Sequence, residues 1–266
     1  MGPYSTLRTH TTEEGVLTIT LHRPERRNAL DPEMIQELTH ALTAAEHLHV
    51  EAVILTGAGS AFCAGLDLDH LQTLHAKTPE EHRADSNNIA HLLRTLYDFS
   101  KPTIAAVNGA AIAGGMGLAT VCDFTLAVPE AKFGYTEVKI GFIPAIVSAF
   151  LVRQVGDKIA RDLLLSGRLF KAEEAYSYGL VNRVVAEQDL MPEARSLAQC
   201  LTRNSPEAMR ATKRLLNHYA ADRLDAELQA AISANVNARA TEDFKEGIRA
   251  FLEKRKPEWP SKKIPA

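Results

Sequence analysis

The chain has 266 residues, of which 45% are hydrophobic and 24% charged, and a formal net charge of −3. This length and composition predict a folded protein with one large or two small domains. The charge argues against a general nucleic-acid binder, which needs clustered Lys and Arg. The sequence has no apolar stretch long enough to cross a bilayer, and its start does not resemble a secretory signal.

Alternating strands and helices are predicted over the first two thirds of the chain. Residues 15–21 alternate apolar and polar side chains, as a half-buried strand does. Asp31 is a predicted helix N-cap with Pro32 at the first helical position, and this helix runs toward Leu48. Further strands are predicted at 53–56, 103–107 and 124–128, and helices at 80–97 and 114–121. Strands separated by helices imply an α/β fold of parallel β–α–β units.

Helical stretches dominate after Ala145. They are predicted at residues 157–165, 171–178, 190–202, 206–219, 226–238 and 241–254. The sequence contains no internal repeat and no low-complexity linker. We therefore predict an α/β core over residues 1–200 followed by a helical C-terminal region over residues 201–266.

Two glycine-centred segments are the most informative feature of the sequence. They read FCAGLDL at 62–68 and NGAAIAGGMG at 108–117, and each lies between a predicted strand and a helix-compatible stretch. Such a junction leaves the first helical N–H groups without partners, and small residues let a ligand approach the backbone. Two facing junctions would supply two donors to one oxygen, which is an oxyanion hole. The pair predicts an enzyme that acts on a carbonyl compound.

Other motifs give little support to competing functions. The run from Gly57 has two glycines of a dinucleotide fingerprint but Phe62 at the third position. The sequence has no Walker loop, no Gly-x-Ser-x-Gly elbow and no His-Glu-x-x-His. The three scattered cysteines, Cys63, Cys122 and Cys200, predict free thiols in a reducing cytoplasm, and we expect no metal. Cys63 is better interpreted as a buried filler than as a nucleophile.

Several segments together resemble the crotonase, or enoyl-CoA hydratase/isomerase, family, and the resemblance covers nearly the whole chain. They are RPERRNAL at 23–30, the two glycine segments, Cys122-Asp123, FGYTEVKIGFIP at 133–144 and RAFLEKR at 249–255. The resemblance implies a crotonase-like core and an acyl-CoA thioester substrate of the kind met in fatty acid metabolism. Coenzyme A would be part of the substrate, so no separate cofactor is expected. It also implies a homotrimer or homohexamer, with the C-terminal region in the assembly.

The resemblance assigns catalytic roles to three positions. The oxyanion donors would be the backbone N–H groups of Leu66 and Gly114, with Gly115 as a register alternative, and such a donor is typically worth about 2.7–4 kcal/mol. Glu137 matches the second of the two glutamates that act as acid and base in the hydratases. Its apolar neighbours suit a pocket that raises the carboxyl pKa. The competing interpretation is a surface carboxylate paired with Lys139.

The sequence departs from the hydratase pattern at Gly117, where the first glutamate would stand. One remaining carboxylate favours a single-base proton shuttle, as in the family's Δ3,Δ2-enoyl-CoA isomerases. Hydration would require Glu137 to manage both transfers, or a further group from a set of four: Asp67, Asp69, His70 and Tyr135. However, the segments at 116–118 and 144–148 resemble a methylglutaconyl-CoA hydratase-like subgroup that also lacks this glutamate, which favours hydration.

Substrate-binding positions also follow from the resemblance. The family's chain runs beside coenzyme A near Arg23, Arg26 and Arg27, and the predicted positions are Arg27, Ala29, Ala64, Asp67, Phe251 and Lys254. An arginine suits the phosphates, while Ala64 and Asp67 correspond to backbone contacts with the adenine end.

Two further functions stay open. One is another crotonase-fold reaction on acyl-CoA, such as thioester hydrolysis or decarboxylation. The other is a non-catalytic acyl-CoA-binding or scaffold subunit. The presence of Glu137 together with both oxyanion segments argues against the second.

Overall fold

The computed structural model describes residues 4–74 and 77–263, and this part of the chain forms ten strands and ten α-helices. The strands are β1 (Leu7–Thr11), β2 (Val16–Leu21), β3 (Ala52–Gly57), β4 (Ala61–Cys63), β5 (Thr103–Val107), β6 (Ala110–Ile112), β7 (Phe124–Ala127), β8 (Lys132–Gly134), β9 (Phe170–Lys171) and β10 (Arg183–Val184). The helices are α1 (Pro32–His47), α2 (Leu68–Leu74), α3 (Pro79–Asp98), α4 (Gly114–Val121), α5 (Ala145–Ser166), α6 (Ala172–Ser177), α7 (Leu190–Thr202), α8 (Pro206–His218), α9 (Ala221–Arg239) and α10 (Glu242–Leu252). Short 3-10 helices lie at Pro24–Arg26, Glu137–Ile140, Glu187–Asp189 and Pro260–Lys263.

The strands form two sheets. The larger has the order β1-β2-β3-β5-β7-β10, and all its pairs are parallel except β1 with β2. The smaller has the order β4-β6-β8-β9, in which only β9 is antiparallel to its neighbour. The predicted α/β class with parallel β–α–β units is therefore confirmed. Both edge strands of the larger sheet, β1 and β10, and the whole smaller sheet escaped prediction.

The central strands of the larger sheet are covered on both faces, which is why they are almost continuously apolar. All five residues of β5 are buried, and so are the first five of β3. Helix α7 packs against β2, β3, β5 and β7. In the described structure no helix is both long and apolar enough to cross a membrane.

Helix starts follow the predicted chemistry where a cap residue is present. Asp31 caps α1 by accepting the Met34 N–H at 2.8 Å. Thr78 and Glu81 form a capping box at the start of α3, which sequence reasoning missed. The helix predicted at 157–165 is the second half of α5. Its two halves meet at Gly156, whose φ of 73° and ψ of 168° kink the helix.

The C-terminal helices pack onto the core of the same chain. Helix α9 contacts α3 and α5, and α10 contacts the 3-10 helix Glu137–Ile140. The approach to this 3-10 helix is close, since a Cβ on Gly247 would lie 2.2 Å from the Ile140 carbonyl oxygen. The region beyond residue 200 thus covers the segment that carries Glu137. Its role in assembly with other copies stays a prediction.

Candidate active site

The segment 27–30 runs parallel to the segment 64–67, and backbone hydrogen bonds join the two. The Ala64 N–H donates to the Arg27 carbonyl at 3.0 Å. The Leu30 N–H donates to the Gly65 carbonyl at 2.7 Å, and the Leu30 carbonyl accepts the Asp67 N–H at 2.9 Å. Four of the predicted binding positions, from Arg27 to Asp67, and the predicted donor Leu66 are therefore brought together.

Asn28 holds this pair of segments in place, and sequence reasoning missed it. Its amide nitrogen donates to the carbonyls of Ala58 and Ala61, both at 2.8 Å. Its amide oxygen accepts the Arg23 N–H at 3.0 Å. The side chain is fully buried and the backbone φ is 55°, a left-handed conformation that asparagine tolerates better than most residues. The available sequence signal was the asparagine of the Arg27-Asn28 pair, since asparagine is enriched at left-handed backbone positions.

The three arginines of the first motif have different environments. Arg23 pairs with Asp67 at 2.9 Å and with Asp31 at 3.1 Å, so its charge is engaged within the fold. Arg26 forms an exposed ion pair with Asp69 at 2.9 Å. Arg27 is exposed, and its guanidinium has no partner in the described part of the chain. Of the three, Arg27 is the one that is free to contact an anion.

Helix α4 begins with unpaired N–H groups, as its sequence predicts. The first helical N–H to find a helical acceptor is that of Gly117, at 2.9 Å from the Ala113 carbonyl. The N–H groups of Leu66 and Gly114 have no acceptor among the described residues. The two lie in adjoining turns, since a Cβ on Gly65 would be 3.6 Å from the Gly114 nitrogen. The N–H group of Gly115 has no acceptor in this part of the chain either, so the register alternative stays open.

The backbone before α4 is strained and firmly held. Ala113 adopts φ 50° and ψ −119°, a conformation that costs a non-glycine residue about 1–3 kcal/mol. Its N–H donates to the Gly134 carbonyl at 2.7 Å, which ties the start of α4 to β8. The chain then leads within three residues from Gly134 to Glu137. The strained turn therefore fixes the start of α4 relative to the segment that carries Glu137.

Glu137 opens the 3-10 helix after β8. Its Oε2 atom is buried and has no hydrogen-bond partner in the described structure. Burial raises the pKa of the carboxyl to about 7, against the opposing effect of a hydrogen bond from its own backbone N–H. Lys139 is exposed and forms no described ion pair with it. The competing interpretation, a surface carboxylate paired with Lys139, is therefore not supported, while the apolar lining of the pocket stays a prediction.

The position of the missing first glutamate is lined by apolar groups. A Cβ on Gly117 would lie 3.5 Å from Leu93 Cδ1 and 3.7 Å from Val147 Cγ2. These are ordinary van der Waals distances, and neither neighbour can donate or accept a proton. Gly117 therefore leaves room at this position without replacing the lost carboxylate.

The four groups considered for positioning water all have other partners. Asp67 pairs with Arg23, and Asp69 pairs with Arg26 on the surface. His70 Nε2 lies 2.7 Å from Asp85 Oδ1. Tyr135 is buried with its hydroxyl 2.8 Å from Thr120 Oγ1.

Of these four, Tyr135 has the clearest link to Glu137. Burial raises the pKa of Tyr135, and the nearby Glu137 charge raises it further. Thr120 in turn donates to the Met116 carbonyl at 2.7 Å, so the tyrosine is anchored on α4. Tyr135 is thus a neutral hydroxyl close to the carboxyl group.

Phe251 and Lys254 lie at the end of α10. Both are exposed, and neither side chain has a hydrogen bond or ion pair to the Leu66 or Glu137 segments in the part of the chain described. Their contact with coenzyme A stays a prediction. Across residues 4–74 and 77–263, no three His, Cys, Asp or Glu side chains converge in a way that could hold a metal ion.

Comparison with known proteins gives a consistent result. A family model described as enoyl-CoA hydratase/isomerase matches residues 11–262. A Thermus thermophilus protein, provisionally named an enoyl-CoA hydratase, is 48% identical over 243 residues, covering 91% of this chain and 96% of its own. The crotonyl-CoA hydratase of Syntrophomonas wolfei is 37% identical, covering 94% and 96% respectively.

A solved structure agrees with these sequence relatives. The crystal structure of an enoyl-CoA hydratase/isomerase from Xanthobacter autotrophicus Py2 superposes with a TM-score of 0.86 at 34% identity, covering 99% of this chain and all of the other. The family match spans both glycine segments and Glu137. The chain belongs to the enoyl-CoA hydratase/isomerase family, the crotonase family, and is an enzyme of that family.

Proposed function

We propose that the protein is an enoyl-CoA hydratase that uses one carboxyl group, that of Glu137, and an oxyanion hole formed by the N–H groups of Leu66 and Gly114. The substrate is an acyl-CoA thioester, with coenzyme A as its handle. The observation that carries the proposal is the Glu137 carboxyl, whose Oε2 atom is buried without a hydrogen-bond partner in the described structure and whose pKa is raised to about 7. A group with this pKa can both take and return a proton near neutral pH.

The oxyanion hole supplies the electrostatic part of the mechanism. As a nucleophile adds to the double bond, negative charge moves onto the thioester oxygen and gives it enolate character. Two backbone donors that have no other acceptor can receive this charge without first breaking a hydrogen bond. The strained Ala113 and the paired segments at 27–30 and 64–67 support this role because they hold both donors in place.

Hydration needs a proton to be moved twice, and Glu137 can serve both steps. Its carboxylate takes a proton from a water molecule while the water oxygen bonds to C3 of the 2-enoyl thioester. The resulting enolate then accepts that proton at C2, which restores the carboxylate and yields the 3-hydroxyacyl thioester. The Tyr135 hydroxyl, close to the carboxyl group, is the candidate for orienting the water.

Double-bond migration is the second candidate, and Gly117 favours it. With apolar groups at the first-glutamate position, one base would take a proton from C2 of a 3-enoyl thioester and return it at C4. Both reactions pass through a thioester enolate, a hydroxylated one in hydration and a dienolate in double-bond migration, so the oxyanion hole serves either. The names of the curated relatives give hydration the lead.

Binding of coenzyme A is proposed at the paired segments. Arg27 would contact a phosphate, because its guanidinium is exposed and unpartnered. The backbone groups of Ala29, Ala64 and Asp67 lie beside it. Contacts from Phe251 and Lys254, assembly into three or six copies and a cytoplasmic location belong to the proposal on resemblance alone.

The test follows proton movement directly. Wild-type enzyme and Glu137→Gln are incubated in heavy water with 2-enoyl-CoA and, separately, with 3-enoyl-CoA, and the products are analysed by mass spectrometry. Binding of saturated butyryl-CoA to both proteins is measured by calorimetry. We expect wild type to form the 3-hydroxyacyl product with deuterium at C2. Glu137→Gln should lose this activity and retain butyryl-CoA binding.

The other outcomes separate the alternatives. Migration of the double bond without a water adduct would make the enzyme an isomerase. Release of free coenzyme A would indicate thioester hydrolysis, and binding without turnover would indicate an acyl-CoA-binding subunit. Equal turnover by Glu137→Gln would remove Glu137 from the mechanism.

A further inference from the structure

Three ionisable side chains, His70, Asp85 and Arg239, form a buried network between helices α2, α3 and α9. Arg239, which is 1% exposed, pairs through Nη2 with Asp85 Oδ2 at 2.6 Å. The other oxygen of Asp85 lies 2.7 Å from His70 Nε2. Burial alone would raise the pKa of Asp85, but the hydrogen bond with His70 and the Arg239 charge outweigh it and hold the pKa at about 2. The aspartate is therefore ionised and serves both neighbours.

One end of this network reaches the segment that contains the proposed oxyanion donor Leu66. His70 belongs to α2, which starts at Leu68 directly after the turn that contains Leu66 and Asp67. The Asp67 side chain accepts the Asp69 N–H at 2.9 Å and so fixes the start of this helix. The orientation of α2 therefore affects the orientation of the Leu66 N–H.

The other end reaches the segment of the carboxyl group. The guanidinium carbon of Arg239 lies 5.4 Å from the centre of the Phe142 ring, within the range of a cation–π contact. The Phe142 N–H donates to the Glu137 carbonyl at 3.0 Å, so the ring is tied to the 3-10 helix. Leu66 and Phe142 also pack in one apolar cluster, whose other members include Leu71 and Phe244.

The surroundings of the network argue against a role in folding stability alone. Four buried polar atoms near it have no hydrogen-bond partner in the described structure: His82 Nδ1, Ser86 Oγ, Asn235 Oδ1 and Arg239 Nε. They lie on the facing helices α3 and α9, and buried polar groups left without partners cost stability. A buried ion pair is also often no more stabilising than apolar residues of the same size. The Asp85–Arg239 pair is therefore better explained as a contact that fixes the positions of the neighbouring segments than as a source of stability.

We propose that Asp85 and Arg239 are positioning residues, which act through His70 and Phe142 to hold the Leu66 N–H and the Glu137 carboxyl at their working separation. The inference rests on the proposed function, since it assigns the network to that site. Loosening the network should slow the chemical step and leave the coenzyme A contacts at Arg27 in place. A misplacement of about 1 Å at a reacting group can cost about a hundredfold in rate.

The test removes both charges of the Asp85–Arg239 ion pair together, so that neither of the two is left buried without the other. The variant is Asp85→Leu with Arg239→Met. The matched control is Arg153→Met with Glu227→Leu, which removes a 2.6 Å ion pair between α5 and the same helix α9. We expect kcat of the network variant to fall about ten- to a hundredfold, with KM changed less than about threefold. The control should keep kcat and KM within about twofold of wild type.

A spectroscopic measurement removes the dependence on turnover. The thioester carbonyl stretch of bound butyryl-CoA reports hydrogen bonding in the oxyanion hole, and wild type should shift it to lower frequency. The network variant should show a smaller shift than the control. If the double variant does not fold, His70→Leu provides the same test, because it detaches α2 and leaves Asp85 paired with Arg239.

The outcomes are distinguishable from those of the proposed function. Absence of turnover in wild type would remove the proposed function, and the carbonyl shift would then decide on the network alone. Wild-type kcat and an unchanged carbonyl shift in the network variant, with wild type active and Glu137→Gln inactive, would overturn the positioning role and leave the proposed function intact.

Discussion

Gly117 of α4 faces Leu93 of α3, and a Cβ on the glycine would lie 3.5 Å from the Leu93 Cδ1 atom. The helix interface thus has room for a methyl group at the position that the family resemblance assigns to the first glutamate of the hydratases. Glycine in a helix interior is costly in conformational entropy, and no close approach at this position requires it. This chain therefore leaves the position unused at some expense in stability.

The first prediction concerns Gly117→Ala and Gly117→Glu. The alanine variant should be more stable than wild type by about 0.5–1 kcal/mol, because it restores helix propensity without a clash. The glutamate variant should be less stable than the alanine variant by about 1–3 kcal/mol, because its carboxyl is buried against apolar groups. Urea unfolding measures both. The glutamate variant should also raise the ratio of hydration to double-bond migration; an unchanged ratio would show that this position no longer reaches the substrate.

The second prediction concerns pH and stability. The Glu137 pKa is raised from 4.5 to about 7 in the folded protein, so the folded state holds this proton more tightly than the unfolded state. The raised pKa therefore has no effect on the free energy of unfolding below about pH 4.5. It lowers this free energy progressively as pH rises toward 7, and by a constant amount above that. Glu137→Gln removes the titrating group, and its free energy of unfolding should exceed that of wild type by about 3 kcal/mol at about pH 8.

Denaturant unfolding at several pH values checks this prediction. The difference between Glu137→Gln and wild type should nearly vanish at about pH 4, where both side chains are neutral. A constant difference across the range would contradict the raised pKa. Stability gained by removing a catalytic carboxyl would be an instance of the trade-off between stability and activity.

The third prediction concerns Arg27. Arg27→Gln should raise KM for enoyl-CoA about tenfold with little change in kcat, because a phosphate contact binds substrate and transition state alike. Arg26→Gln is the matched control, since Arg26 is adjacent but engaged with Asp69. Steady-state kinetics at low and high salt measure KM for both variants. The difference in KM between Arg27→Gln and wild type should shrink as salt screens the charge. An equal effect of the two substitutions would argue against a specific contact.

Much of the fold could be predicted because its chemistry is local. The N-cap Asp31, the buried runs of β3 and β5 and the small residues before α4 each act within a few residues, so the pattern is readable in sequence. The smaller sheet was missed because its strands have two or three residues, too few for a periodic signal.

The sequence indicated candidate site residues but not the partners that hold them. Leu66, Gly114 and Glu137 carry signals in their own motifs. The engagement of Arg23 with Asp67, and the anchoring of two segments by Asn28, join residues more than thirty positions apart. No local pattern contains such contacts. For the same reason the Asp85–Arg239 pair, which joins α3 to α9, had no signal in the sequence.

The packing of α9 and α10 against the Glu137 segment has a consequence for protein synthesis. The chain leaves the ribosome from its N-terminus, so Phe142 emerges well before Arg239 and Phe244, which close over it. The contacts that cover the Phe142 ring, which is hydrogen-bonded through its backbone to Glu137, therefore form only after residues 239 and 244 have been synthesised. A chain that ends before α9 lacks both of these contacts.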